Sequence, residues 1–135
     1  MTRWGECVHP ERIMTVHPIL IVDDDIVFRE GLQMVLSDYY HSVLTTDNNS
    51  RAVALVASLA PDVVLIDPEA AGLETARQIK AHSPETRVIL LSIFDRYLTA
   101  ALDVEADGYL LKGCPTEELL AAIRRPASLS QISKP

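Results

Sequence analysis

Residues 19–25 read Ile-Leu-Ile-Val followed by Asp-Asp-Asp, and this stretch decides the fold. Four apolar residues without polar alternation suit a short strand covered on both faces, and three carboxylates sit at its carboxyl end. Working outward, four more short apolar runs follow, at 42–46, 63–67, 88–92 and 108–111. Amphipathic stretches separate them. Phe28, Leu32, Val35, Leu36 and Tyr39 keep three- and four-residue spacing and predict one helical stripe. Val53, Val56 and Ala60 outline a second helix, Leu73, Ala76 and Ile79-Lys80 a third, and Leu98, Ala101 and Leu102 a fourth. Pro115-Thr116-Glu117-Glu118 opens a fifth with acid in its first turn. Its apolar stripe is Leu119, Leu120 and Ile123, and Arg124-Arg125 sit at its negative end. Five strand–helix units predict an α/β fold: a five-stranded parallel sheet, doubly wound, with right-handed crossovers and helices on both faces.

The 135 residues suit one domain, of a size that buries roughly two-thirds of its unfolded surface. With 12 basic and 19 acidic side chains the formal net charge is −7, which argues against direct nucleic-acid binding by this chain. No apolar run approaches a membrane span, and residues 1–18 lack the apolar core of a signal peptide, so a cytoplasmic protein with no membrane partner is expected. Cys7 and Cys114 form no C-x-x-C motif and read as free thiols, and the four histidines have no metal-ligand spacing. Residues 1–16 have no period and include a second possible start at Met14, so they read as a flexible extension. The folded domain is expected over 17–125, and the Ser-rich 126–135 as a linker or tail.

In an open parallel sheet, ligands bind beyond the carboxyl ends of the strands, where strand order reverses. The first strand ends in Asp23-Asp24-Asp25, the third in Asp67 and the fourth in Ser92, and Lys112 follows the fifth. Carboxylates about 4 Å apart repel by about 1 kcal/mol in water and by about 4 at an effective dielectric of 20, so such a cluster calls for a cation. Oxygen ligands of this kind suit Mg²⁺. With the Lys112 ammonium and the Ser92 hydroxyl they describe a cradle for a phosphoryl group, with Asp67 as nucleophile.

This constellation resembles the receiver domain of bacterial two-component response regulators, a flavodoxin-like, CheY-like fold. The likeness runs from about residue 19 to residue 125, through ILIVDDD at 19–25, DVVLID at 62–67, RVILLS at 87–92 and ADGYLLK at 106–112. The last, with ELLAAIR at 118–124, is most like receivers of the LuxR/NarL-type subfamily, which carry a helix-turn-helix output domain. The resemblance implies that Asp67 accepts phosphate from a sensor histidine kinase and that Asp23 and Asp24 hold Mg²⁺, Asp24 directly and Asp23 through water. It makes the backbone carbonyl of Glu69 a further metal ligand, Ser92 and Lys112 the partners of the phosphoryl oxygens, and Ser92 and Tyr109 the switch pair. Self-phosphorylation and dephosphorylation aside, no enzyme activity is implied. A homodimer is expected, and DNA is reached only through an output domain for which this chain has no room.

Three departures from the family pattern stand out. Ala70-Ala71-Gly72 replace the usual Met-Pro-Gly and Leu73-Glu74 follow at once, so the loop after Asp67 is about three residues short. Pro68 offers no N–H to a phosphoryl group. Gly113 follows Lys112 where many relatives carry proline, so no cis peptide is expected there. The short loop motivates an alternative: a phosphorylation-independent dimerisation or ligand-sensing module. A remoter one is a haloacid-dehalogenase-type phosphohydrolase, because Asp23-Asp24-Asp25 contains a D-x-D pair. The remaining acids, Asp95, Asp103, Glu105 and Asp107, read as an exposed face.

Overall fold

The computed structural model describes residues 18–47 and 49–125. The extension read at 1–16, with Cys7, and the tail read at 126–135 lie outside the described residues. Strands and helices alternate through the chain: β1 Ile19–Val22, α1 Ile26–Ser37, β2 Val43–Thr46, α2 Asn49–Leu59, β3 Val63–Ile66, α3 Gly72–His82, β4 Arg87–Ser92, α4 Leu98–Asp103, β5 Gly108–Leu111 and α5 Thr116–Arg124. The five strands form one sheet in the order β2-β1-β3-β4-β5, every neighbouring pair parallel. This is the doubly wound α/β fold expected from the sequence. The chain leaves β1 toward one edge and returns at β3 toward the other, so the switch point lies between β1 and β3.

Side-chain alternation divides the apolar residues between two cores. Ile19, Ile21, Leu65 and Ile89 pack with α1 and α5 through Leu32, Leu36, Leu119, Leu120 and Ile123. Leu20, Val22, Val64 and Leu90 pack on the other face with Ala52, Val56, Ala76, Ile79 and Ala101. Because both faces are covered, the strands carry no polar alternation.

Three residues of the expected stripes lie elsewhere. Val35 is 38% exposed, since Leu32 and Leu36 set the buried line of α1 and Val35 falls beside it. Ala60 stands beyond the end of α2 with φ +50°, and Ala52 takes the buried place with Val56. Leu102 is 49% exposed on the short α4. Asp107 corrects the acidic-face reading: it is only 8% exposed, and its Oδ2 accepts bonds from Lys80 Nζ at 2.9 Å and the Val88 N–H at 2.8 Å. Lys80 also donates to the Pro84 and Thr86 carbonyls, so the pair ties α3 and the following loop to the start of β5. The end of α5 is served from β4, where the Arg87 guanidinium donates to the Ala122 and Ile123 carbonyls.

Candidate functional site

Strand register delivers the first two acids. Val22 pairs with Ile66 across β1 and β3, so Asp23 and Asp67 leave adjacent strands at the same level. The Asp67 N–H still donates to the Val22 carbonyl at 3.1 Å. Ser92 ends β4 opposite Leu111, and the Lys112 N–H donates to the Ser92 carbonyl at 2.8 Å, which aims Lys112 back toward the acids. Lys112 Nζ lies 2.7 Å from Asp23 Oδ2 and 2.8 Å from Asp67 Oδ2. Burial would push the Lys112 ammonium down; hydrogen bonds to Asp23 and Asp67 outweigh it and leave its pKa above the ordinary lysine value. The ammonium also sits 4.4 Å from the centre of the Phe28 ring.

The three leading acids have different surroundings. Asp23 is 4% exposed, and its Oδ1 accepts the Asp25 N–H at 2.9 Å. Asp25 caps α1, its Oδ1 accepting from Val27 and Phe28. Asp24 is exposed and lines the same small pocket as Asp23 and Asp67. The remaining Asp67 oxygen, Oδ1, accepts the Glu69 N–H at 2.8 Å.

The short loop after Asp67 folds tightly. Gly72 donates to the Glu69 carbonyl at 2.9 Å, Ala70 adopts φ +53°, and a Cβ at Gly72 would come within 1.8 Å of the Asp67 carbonyl oxygen. Only glycine tolerates that approach. Arg96, from the loop after β4, reaches Glu69 Oε2 at 3.0 Å and stacks 4.0 Å from the centre of the Phe94 ring. Ser92 is fully buried, its Oγ accepting the Phe94 N–H at 3.0 Å. Tyr109 donates its hydroxyl to the Phe94 carbonyl at 2.5 Å and accepts the Tyr97 N–H at 3.2 Å. Desolvation pushes the Tyr109 phenol up against opposing hydrogen bonds from Tyr97 and Ser92. Gly113 takes φ +91°, and no cis peptide occurs among the described residues.

A cavity of about 30 Å³ lies between these acids, and Asp47 and Asn49 complete its wall. Asn49 Oδ1 is buried with no hydrogen-bond partner. An orphaned acceptor beside these carboxylates fits a hard divalent cation, which takes oxygen ligands. No three His, Cys, Asp or Glu side chains among the described residues converge as a ready metal cage. Asp47 was within reach of the strand-end rule, because it follows β2 as Asp23 follows β1. The Glu69–Arg96 bridge and the Asn49 acceptor carry no signal in the sequence.

Residues 19–124 match the response regulator receiver domain family. The chain belongs to that family. The transcriptional regulatory protein YdfI of Bacillus subtilis (strain 168) is 38% identical to this receiver over 120 residues, covering 81% of this chain and 56% of that protein. The transcriptional regulatory protein DegU of Brevibacillus brevis is 35% identical over 113 residues, covering 78% and 48%. A LuxR-family DNA-binding response regulator from Staphylococcus aureus superposes with a TM-score of 0.72 at 26% identity, over 80% of this chain and 96% of that one. The receiver thus spans about half the length of these curated relatives. The haloacid-dehalogenase reading falls with this result, and the Asp25 on which its D-x-D pair depends is a helix cap. No helix among the described residues is long and apolar enough to cross a membrane.

Proposed function

We propose that this receiver takes a phosphoryl group onto Asp67 from the phosphohistidine of a sensor kinase, with Mg²⁺ bound. The observation that carries the reading is the Lys112 ammonium, 2.8 Å from Asp67 Oδ2 and 2.7 Å from Asp23 Oδ2. Asp23, Asp24, Asp67 and the Glu69 carbonyl would hold the metal, which when bound neutralises oxygen charge on the transferring group. An Asp67 oxygen attacks phosphorus, the P–N bond breaks, and its electron pair leaves with the imidazole. Lys112 balances charge on the phosphoryl oxygens and Ser92 bonds one of them. When Ser92 turns toward the phosphoryl group it gives up the Phe94 amide, which loosens the loop that holds Tyr109. That is a bistable element biased by new charge. The output is a changed dimer or partner surface in the cytoplasm. Two relatives named as transcriptional regulators, each about twice the span of this match, support a DNA-binding domain as the recipient of the signal.

Acetyl phosphate with Mg²⁺ should add one phosphoryl group by intact mass, mapped to Asp67 and absent from Asp67→Asn. No added mass in either protein would replace this reading with a phosphorylation-independent dimerisation or ligand-sensing module. The tight turn favours that second reading, because the Glu69 carbonyl already accepts the Gly72 N–H.

A further inference from the structure

Asp47 and Asn49 have no part in the chemistry described so far, yet they close one side of the acidic pocket. Asp47 follows β2 and Asn49 opens α2, and both line the 30 Å³ cavity with Asp23, Asp24 and Asp67. That volume holds about one water or one small cation. Asn49 Oδ1 is buried without a donor, and a buried acceptor left unmet is unfavourable. Lys112 cannot serve the whole wall, since its Nζ is already shared between Asp23 and Asp67. Every other side-chain group named in the wall is a carboxylate, which donates nothing at neutral pH.

We infer that Asn49 and Asp47 form an outer wall of the cation site, Asn49 Oδ1 accepting from a metal-bound water and Asp47 adding negative charge beside it. The inference rests on the proposed Mg²⁺ site and extends it to a loop that carries none of the family-matched site residues. Mg²⁺ retains several waters, and those waters need acceptors beyond the direct ligands. The oxygens of Asp23 and Asp67 are each engaged by Lys112 or a backbone N–H, so unengaged acceptors come from Asn49 and the exposed carboxylates. Asn49 therefore sets cation affinity without touching the phosphoryl group.

The test is Mn²⁺ titration of the intact 135-residue chain, free Mn²⁺ being read by electron paramagnetic resonance. Asn49→Ala should weaken Mn²⁺ binding about tenfold, the scale of an outer-shell partner, with its melting temperature in metal-free buffer within a few degrees of wild type. Asn49→Asp should tighten binding, because it keeps the acceptor and adds charge. Ser50→Asp, one residue along on an exposed position, controls for added charge alone and should tighten binding less. Unchanged affinity in Asn49→Ala, or equal tightening by Asn49→Asp and Ser50→Asp, would overturn the inference while leaving the Mg²⁺ site intact. Absence of Mn²⁺ binding by wild type would instead remove the site itself. If Asn49→Ala does not fold, the comparison of the two aspartate variants decides alone.

Discussion

The Lys112 ammonium lies 2.8 Å from Asp67 Oδ2, across 45 residues of sequence. The same nitrogen reaches Asp23 Oδ2, so one lysine holds two carboxylates from adjacent strands. The three side chains are only 2–15% exposed, which makes this a pocket interaction rather than a screened surface pair.

Removing the ammonium should therefore cost more than removing one acid. Lys112→Met should destabilise the domain by about 2–3 kcal/mol at pH 7, somewhat under the cost of breaking a fully buried pair. The double variant with Asp67→Asn should recover part of that loss, as urea denaturation of the full cycle would show. Burial lowers the Lys112 pKa and the two acids more than reverse it, so the folded value lies above the ordinary 10.5. Its contribution is then complete below that pH and is lost as pH rises through the folded value. The stability gap between wild type and Lys112→Met should narrow in strongly alkaline buffer and stay constant from pH 7 to 9.

The approach of Gly72 to the Asp67 backbone makes a contrast between two glycines. Gly72→Ala drives a Cβ to 1.8 Å from the Asp67 carbonyl oxygen and 2.8 Å from its carbon. Backbone cannot swing aside as a side chain does, so a loss of about 2–3 kcal/mol is expected. Gly31, inside α1, has nothing within 4 Å, and Gly31→Ala should stabilise by about 0.5–1 kcal/mol. Thermal and chemical denaturation of the pair give opposite signs if the turn is folded as described.

Asp107 holds Lys80 and the Val88 amide through the same Oδ2. Asp107→Ala leaves an ammonium that is mostly buried and an amide that loses its acceptor, and should cost about 3–5 kcal/mol. Lys80→Met spares the Val88 bond but removes the Lys80 bonds to Asp107 and to the Pro84 and Thr86 carbonyls, and leaves the carboxylate uncompensated, so it should cost a similar amount. Amide exchange at Val88 should accelerate in Asp107→Ala relative to wild type, measured beside amides in β1.

Cys114 lines an open cavity of about 500 Å³, yet its thiolate is disfavoured. Burial pushes its pKa up, and the neighbouring Glu118 carboxylate pushes it further. Iodoacetamide should modify Cys114 more slowly than a free thiol at pH 7 and faster as pH rises. Glu118→Gln removes the second cause and should speed the reaction, with peptide mapping separating Cys114 from Cys7.

Strand and helix order were legible because uninterrupted apolar runs and three- and four-residue spacing are local properties of the chain. Asp23, Asp24, Asp67, Ser92 and Lys112 were legible for a related reason: parallel strands all end on the same rim, so their final polar residues must gather there. Asp47 stands on that rim too and the same rule reaches it, but β2 reads Val-Leu-Thr-Thr, and its half-polar end made the cue weaker. Asp107 looked like one acid among several in its stretch, since its partner Lys80 is 27 residues away.

The sequence by itself determined that five short strands would be covered on both faces and that acids, hydroxyl and amine would share one end of the sheet. Tertiary structure alone decided which oxygen meets which donor: Lys112 between Asp23 and Asp67, Gly72 against the Asp67 carbonyl, and Asn49 Oδ1 without a partner. Periodicity sets which face a side chain takes. Contact distances depend on register and loop closure, which no single segment encodes.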